Sequence, residues 1–545
     1  MQHSLNVPFI HKFSPCIFSL FLRPEKLNMN QSKFYAGIVA LVFFFSCSTP
    51  QQTTTGNNSD NGKITVQFLQ INDVYEIAPI EAGKTGGVAR VATLSKSAKA
   101  KNANTFLVIA GDFLSPSVYN SLKYEGKRIR GRQMVDALNT AGLDIAVFGN
   151  HEFDINEDEL QSRINESNFQ WISSNSFHKT ASGIEAFTQT KNGQTKAFPE
   201  TLILPVKDAD GTTAKIGFLG INIPFTKKDY VSYSDPLQTA IKLYNQIKDS
   251  CDAVVAITHQ AMEDDIKLAQ QLPGLALILG GHEHDMRYQK VGNVIISKAH
   301  ANARSVYELK LQINKNSKRI KTRAKLVWVN DDLVSDPETD AVVKKWTKIA
   351  DDNFTSLGFD AKRVVLSGGE SYEAREAIIR SHATNFSRMV IKAMEKAAPQ
   401  SDVSIVNAGS IRLDDVLSPP ITEYDIIRCL PFGGGITEAN LKGSLLIQVL
   451  EAGRNNKGSG GFLHFSEKIF YDAINHVWTI NKQPINPQKN YRVALSDFLL
   501  TGGEANMGFL TKDNKEIEKI FPAATSTTDA RSDIRLAIIQ YLSQP

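Results

Sequence analysis

Cysteine is scarce in this chain. Only Cys16, Cys47, Cys251 and Cys429 occur in 545 residues, and no two stand at metal-site spacing. That excludes a cysteine-ligated metal site. Cys251 and Cys429 lie near apolar residues in different predicted domains and are expected to be buried free thiols. Charge of one sign is also lacking: the formal net charge is +4, and no basic stripe is interleaved with aromatics. This removes the case for a nucleic-acid polymer as partner. The local excess of Lys and Arg from Lys315 to Lys325 reads as a solvated hairpin edge. No internal repeat is found. The apolar run Phe34 to Phe45 is about a dozen residues, too short to span a bilayer comfortably. What remains is the composition of a soluble globular protein, 42% hydrophobic and 22% charged. The length is too great for one ordinary core and predicts two domains.

The N-terminus reads as an export signal. Lys33 precedes the run Phe34 to Phe45, and Ser46-Cys47-Ser48 follows. A cysteine directly after such a run resembles a bacterial lipoprotein cleavage site, with Cys47 as the acylated first residue and the anchor to a membrane. Ordinary secretion and an uncleaved anchor are the other readings. Met29 would make a more usual start than Met1. Residues 48–62, mostly Thr, Gln, Asn, Ser and Gly, are expected to be a flexible tether.

From Ile64 the pattern is apolar strand, loop, helix, repeated. Strands are predicted at Ile64 to Ile71, Thr105 to Ala110, Ile145 to Phe148, Lys215 to Ile221, Ala253 to Thr258, Ala276 to Leu279 and Val294 to Ser297. Helices are predicted at Val88 to Ala100 and Gly131 to Ala141. This is a layered α/β domain, in which function gathers beyond the strand ends. Val306 to Ile313 and Lys321 to Val329 read as a closing hairpin. Asp336 to Asn353 reads as a polar helix long enough to bridge two domains. The second domain starts near Val364, with a helix from Ala374 to Ala397, a strand from Asp402 to Asn407, a helix after Thr422, and late strands around Phe470 and from Tyr491 to Leu495. The predicted boundaries are therefore 1–47, 48–62, 63–335, 336–363 and 364–545.

Five clusters in the first domain each end a predicted strand with a metal-binding residue type. They are Asn72-Asp73, Gly111-Asp112, Gly149-Asn150-His151-Glu152, Thr258-His259 and Gly281-His282-Glu283-His284, with Asp154 three residues after His151. A dinuclear centre needs about this inventory: one bridging carboxylate, with imidazoles, an amide oxygen and a second carboxylate around it. Asp112 is expected to be the bridge. His282 and His284, two apart in an extended segment, fall on one side. Two ions roughly 3.5–4 Å apart can clamp a phosphoryl group, activate a water and stabilise in-line transfer. His151 is then free to stabilise the transition state or protonate the leaving group, with Asp154 orienting its ring.

These motifs resemble the calcineurin-type metallophosphoesterases. With the second domain, the chain resembles the 5′-nucleotidase family, which includes UDP-sugar hydrolases and 2′,3′-cyclic phosphodiesterases. The likeness covers roughly residues 64 to 530. It implies a layered β-sandwich flanked by helices carrying a dinuclear metal site, a helical linker and a second α+β substrate-binding domain. It places Asp73, Asp112 and His284 on one metal, and Asp112, Asn150, His259 and His282 on the other. The cofactor implied is two divalent ions, Zn, Mn, Fe or Co. The family's first motif is Asp-x-His; here it is Asp73-Val74-Tyr75. Three readings stand: Tyr75 ligates as a phenolate, water fills the position, or Tyr75 packs elsewhere and Glu76 substitutes.

In the second domain Ser404 to Ser410 leads into Ile411-Arg412, a strand and small-residue turn that presents a guanidinium to a phosphate. The resemblance matches Arg412 and Arg380 to substrate-contacting arginines. It matches Phe432, in Pro431-Phe432-Gly433-Gly434, and Phe498 to two rings that sandwich a nucleobase. Gly434 stands where the family has a base-contacting Asn, and Glu504 where it has a ribose-binding Asp. The activity implied is removal of the 5′-phosphate from nucleotides by metal-bound hydroxide, outside the cytoplasm, with nucleotide salvage as the role. Alternatives are a cyclic phosphodiesterase, a UDP-sugar hydrolase, a non-nucleotide phosphatase, or a surface binding protein without turnover.

Overall fold

Alternation along the first strand sets the layers. In Lys63–Ile71, Ile64, Val66 and Phe68 face one core, while Leu69 and Ile71 face another. The computed structural model describes residues 60–224 and 228–544. The export signal 1–47 with Cys47, and nearly all of the tether 48–62, lie outside the described residues. Among the described residues, no helix is long and apolar enough to cross a membrane.

Two six-stranded sheets face each other in the first domain. One runs in the order Arg319–Trp328, Ser305–Asn314, Lys63–Ile71, Thr105–Ala110, Ile145–Val147, Gln170–Ile172. The other runs Thr201–Lys207, Thr213–Asn222, Ala253–His259, Leu277–Gly281, Val294–Lys298, Arg287–Val291. Phe68, Val108 and Val147 of the first sheet meet Phe218, Val255 and Leu279 of the second in a dry layer. The outer face of the first sheet is covered by helices Val88–Lys101 and Arg132–Ala141, and that of the second by Pro236–Ile247 and Met262–Gln271. Buried Gln70 ties the sheets together, donating to the carbonyls of Gly280 and Ser297 at 2.8 Å each.

Parallel register brings the functional ends to one edge. Ile71 pairs with Ile109, Ala110 with Val147, and His259 with Gly281. The loops that follow these strands therefore emerge together.

The helix Pro337–Ser356, capped by Asp336, is amphipathic rather than polar all round. Val343, Trp346, Ala350 and Phe354 are buried against the helices Val88–Lys101 and Arg132–Ala141. The polar residues are one face of an amphipathic helix, and the apolar stripe belongs to a core that continues into the second domain through Phe386, Ile426 and Ile538. The predicted helix from Ala374 to Ala397 is also corrected. It is a short turn, Glu376–Ile379, and a separate helix, Asn385–Ala397, started by a capping box between Thr384 and Ser387. Cys251 is half-buried rather than buried, while Cys429 is buried; both are free.

The second domain has a five-stranded sheet in the order Leu463–Phe465, Val403–Asn407, Asn490–Ser496, Ile436–Lys442, Ile517–Ile520. Helix Gly443–Asn455 covers one face, and helices Asn385–Ala397 and Ile534–Leu542 cover the other.

Candidate metal centre and substrate cleft

Asp73 and Asp112 each stand two residues beyond a parallel strand and turn their backbones into the left-handed region, with φ of 54° and 56°. Such conformations cost energy in non-glycine residues and are held here by surrounding bonds. Asp73 N–H donates to the Gly111 carbonyl at 3.1 Å, and His151 N–H donates to Asp112 Oδ1 at 2.8 Å. Two glycines let the loops approach. A Cβ on Gly149 would lie 2.1 Å from Asp112 Oδ1, and one on Gly281 would lie 2.3 Å from the Ala110 carbonyl oxygen.

Asp73, Asp112 and His259 are buried, and one ligand atom from each lies within 4.8 Å of the others. His259 donates Nδ1–H to the Ala110 carbonyl at 2.7 Å, which leaves Nε2 pointing at Asp112 Oδ2, 2.9 Å away. His284 Nε2 is 3.6 Å from Asp73 Oδ1. The His282 ring meets the His259 ring edge-on at 5.4 Å, and the His282 backbone N–H donates to Asp73 Oδ2 at 3.0 Å. Asn150 is buried at the start of the turn His151–Asp154. The donor set fits a cation site on electrostatic grounds. Asp73 and Asp112 bury two carboxylates together, and among the described residues no lysine or arginine pairs with either. Buried like charges of this kind are stabilised by positive charge between them, from a bound cation or, without one, from the His259 imidazolium.

The ring and carboxyl groups respond to one another. Burial raises Asp73. Burial would also raise Asp112, but the His259 and His151 charges outweigh it and hold Asp112 well below the usual carboxylate range. Burial opposes protonation of His259, yet Asp112 and Asp73 lift it to about 10. Burial, then the His259 charge, push His282 down to about 3, so it stays a neutral donor.

Tyr75 points into this cluster. Its hydroxyl is 3.0 Å from His284 Nε2, 3.4 Å from Asp73 Oδ1 and 3.5 Å from Asp112 Oδ2. Burial and the two carboxylates push the phenol well above its ordinary value. Glu76 points the other way. It is buried and accepts from the Tyr424 hydroxyl of the second domain, so it does not substitute at the cluster.

His151 Nδ1 is 2.7 Å from Asp154 Oδ2. Burial would lower His151, but Asp112 and Asp154 lift it to about 9. Arg412 reaches over from the second domain, 3.9 Å from Asp154 Oδ2 and 5.8 Å from the centre of the exposed Phe432 ring. A cavity of about 450 Å³ joins Ser115, Ser117, Arg128, Asp154, Arg412 and Phe432. Arg380 pairs with Glu376 and is near enough to feel the charges of Arg412 and Asp154. Phe498 is half-exposed on a segment tied to the Phe432 loop, where Gly435 N–H donates to Asp497 Oδ2 at 3.0 Å. Glu504 accepts from Asn407 Nδ2 at 2.7 Å. Gly434 has φ 102°, which strains any side chain, and a Cβ there would lie 2.7 Å from Asp497 Oδ1, so an Asn would have to displace the Asp497 carboxylate.

Two supports escaped sequence reasoning. Glu152 is fully buried and accepts from the N–H groups of Asp112, Phe113, Leu114 and Gly149, at 2.8, 2.7, 3.0 and 2.6 Å. Glu283, between His282 and His284, pairs with the fully buried Lys298 at 2.5 Å, and Lys298 also holds Asp265 at 3.0 Å. A glutamate directly after a strand-end histidine was the available signal in both cases.

Residues 66–286 match the family model for calcineurin-like phosphoesterases, and residues 366–511 match that for the 5′-nucleotidase C-terminal domain. The chain is 24% identical over 514 residues to the snake venom 5′-nucleotidase of Crotalus adamanteus, covering 81% of this chain and 82% of that one. It is 24% identical over 491 residues to the 5′-nucleotidase of Bos taurus, covering 79% and 80%. The crystal structure of a 5′-nucleotidase precursor from Thermus thermophilus shares the fold, with a TM-score of 0.60 at 19% identity over 88% of this chain and 96% of that one. With both domains matched in order and the acidic, imidazole-rich cluster at the strand ends of the first, the chain belongs to the family of metal-dependent phosphoric ester hydrolases that joins a calcineurin-like phosphoesterase domain to a 5′-nucleotidase C-terminal domain.

Proposed function

We propose that the protein removes the 5′-phosphate from nucleotides outside the cytoplasm, using two divalent cations. The observation that carries this reading is the position of Arg412. It brings the second domain to within 3.9 Å of the carboxylate that orients His151, beside the buried acidic cluster. A phosphate there meets cations on one side and a guanidinium on the other.

Asp73, Asp112 and His284 would hold one cation, and Asp112, Asn150, His259 and His282 the other. The Tyr75 hydroxyl stands where the family supplies an imidazole to the first. When bound, the cations supply Lewis acidity toward the phosphoryl oxygens and acidify a water. The chain's own residues do the rest. Asp154 holds His151 Nδ1, which directs Nε2 to the phosphate, and His151 as imidazolium donates a proton to the leaving oxygen. Arg412 and Arg380 orient the phosphate. Phe432 and Phe498 stack on the base, and Glu504 accepts from ribose hydroxyls. Cys47 as a lipid-anchored N-terminus would keep this activity in the cell envelope, where it salvages nucleosides and phosphate.

A second reading, hydrolysis of cyclic or sugar-linked nucleotide diesters, is favoured by Gly434, which removes the base-contacting amide. Phosphate release from AMP, UDP-glucose and 2′,3′-cyclic AMP separates the two, with His151→Ala as control. AMP turnover lost in the control is expected. Turnover of the diesters alone would replace the first reading by the second.

A further inference from the structure

Four consecutive residues of the second domain, Arg412-Leu413-Asp414-Asp415, place three charged side chains on the first domain. Arg412 reaches Asp154. Asp415 pairs with Arg304, which also holds Glu81 at 2.9 Å. Asp414 faces His284: its carbonyl oxygen is 2.9 Å from His284 Nδ1, and its Oδ2 is 3.2 Å away. Asp414 is itself fixed within the second domain. Its φ is 48°, and its Oδ1 accepts from Glu376 N–H at 2.5 Å.

We infer that Asp414 is a positioning residue for His284 that acts across the domain interface, so that cation affinity at the His284 side depends on docking of the second domain. This rests on the reading of His284 as a cation ligand. With Nδ1–H donated to the Asp414 carbonyl oxygen and the Asp414 carboxylate 3.2 Å from the same nitrogen, the tautomer is set, Nε2 keeps its lone pair, and the ring is aimed at Asp73. A carboxylate behind a ligand imidazole also raises its basicity. Undocking the second domain removes that carboxylate and carbonyl together. By linkage, cation binding at this position must favour the docked arrangement by the same factor.

The test is Mn²⁺ binding to the whole, chelator-stripped chain, by equilibrium titration. Asp414→Asn keeps a residue that tolerates positive φ and keeps an acceptor for Glu376 N–H, but turns an amide donor toward the ring. It is expected to weaken one of two sites by roughly 10–100-fold. Arg304→Gln loosens docking without touching the histidine, and is expected to weaken the same site in the same direction. His284→Gln is expected to abolish that site. If His284→Gln leaves both sites intact, the ligand reading fails and the inference with it. If His284→Gln removes a site but Asp414→Asn binds within about twofold of the unaltered chain, the ligand reading stands and the positioning role of the Asp414 side chain is overturned. An effect of Asp414→Asn with none from Arg304→Gln overturns the dependence on docking.

Discussion

Glu152→Ala is expected to cost more stability than any other single change near the site. The side chain is fully buried and serves four backbone N–H groups, at 2.6–3.0 Å, on the two loops that carry Asp112 and Asn150. A hydrogen bond to a charged group contributes roughly 1.5–3 kcal/mol. Four such bonds to one acceptor are not additive, and desolvation of the carboxylate offsets part of the sum. Counting two of them gives a loss of about 3–6 kcal/mol, set against a typical total of about 5–15 kcal/mol. Glu152→Gln is no rescue, because its amide group turns a donor toward donors. The assay is urea unfolding of chelator-stripped protein at pH 8, above the value of about 7 to which burial and the Asp112 charge push this carboxyl. Both variants should unfold at clearly lower urea and bind Mn²⁺ more weakly. A midpoint unchanged from the unaltered protein in both would refute the reasoning.

Other consequences follow from the same geometry. His151 is raised from 6.5 to about 9, burial being outweighed by Asp112 and Asp154. A raised histidine stabilises fully below 6.5, and that contribution is lost as pH rises through about 9. Stripped protein should therefore lose stability over this window more steeply than His151→Gln does, and equal slopes would contradict the pairing. Tyr75→Phe removes the hydroxyl 3.0 Å from His284 Nε2, and is expected to lower cation content measured by elemental analysis. Unchanged content and activity would remove Tyr75 from the ligand set. Phe498→Ala should raise KM for AMP by about 5–150-fold, since stacking contributes about 1–3 kcal/mol per base. It should leave KM for p-nitrophenyl phosphate unchanged, and a parallel rise in both would count against base stacking.

The site-bearing part of the first domain was legible because Lys63–Ile71, Thr105–Ala110, Ala253–His259 and Leu277–Gly281 are short apolar runs ending in polar clusters, and parallel register brings those clusters together. Thr105–Ala110 was bounded correctly, and Val88–Lys101 to within a residue. The linker helix was placed, but its buried face was not read, because charged positions outnumber the stripe of Val343, Trp346, Ala350 and Phe354, whose partner surface no local pattern reveals. The break before Asn385 depends on one capping box inside a helix-favouring stretch. At the site, Asp73 and His259 stand at strand ends and announce themselves. Asp414 does not: it follows no periodic element, and its importance comes from a contact 130 residues away in sequence.

The most direct test of the central claim is restoration of a stripped enzyme. The chain is freed of metal with chelator, given Mn²⁺, Zn²⁺ or Co²⁺ in steps, and assayed for phosphate released from AMP. The account predicts no turnover without metal, recovery complete near two ions per chain, and no recovery in His151→Ala. Turnover that survives chelation, or its absence with every metal at full occupancy, would contradict it.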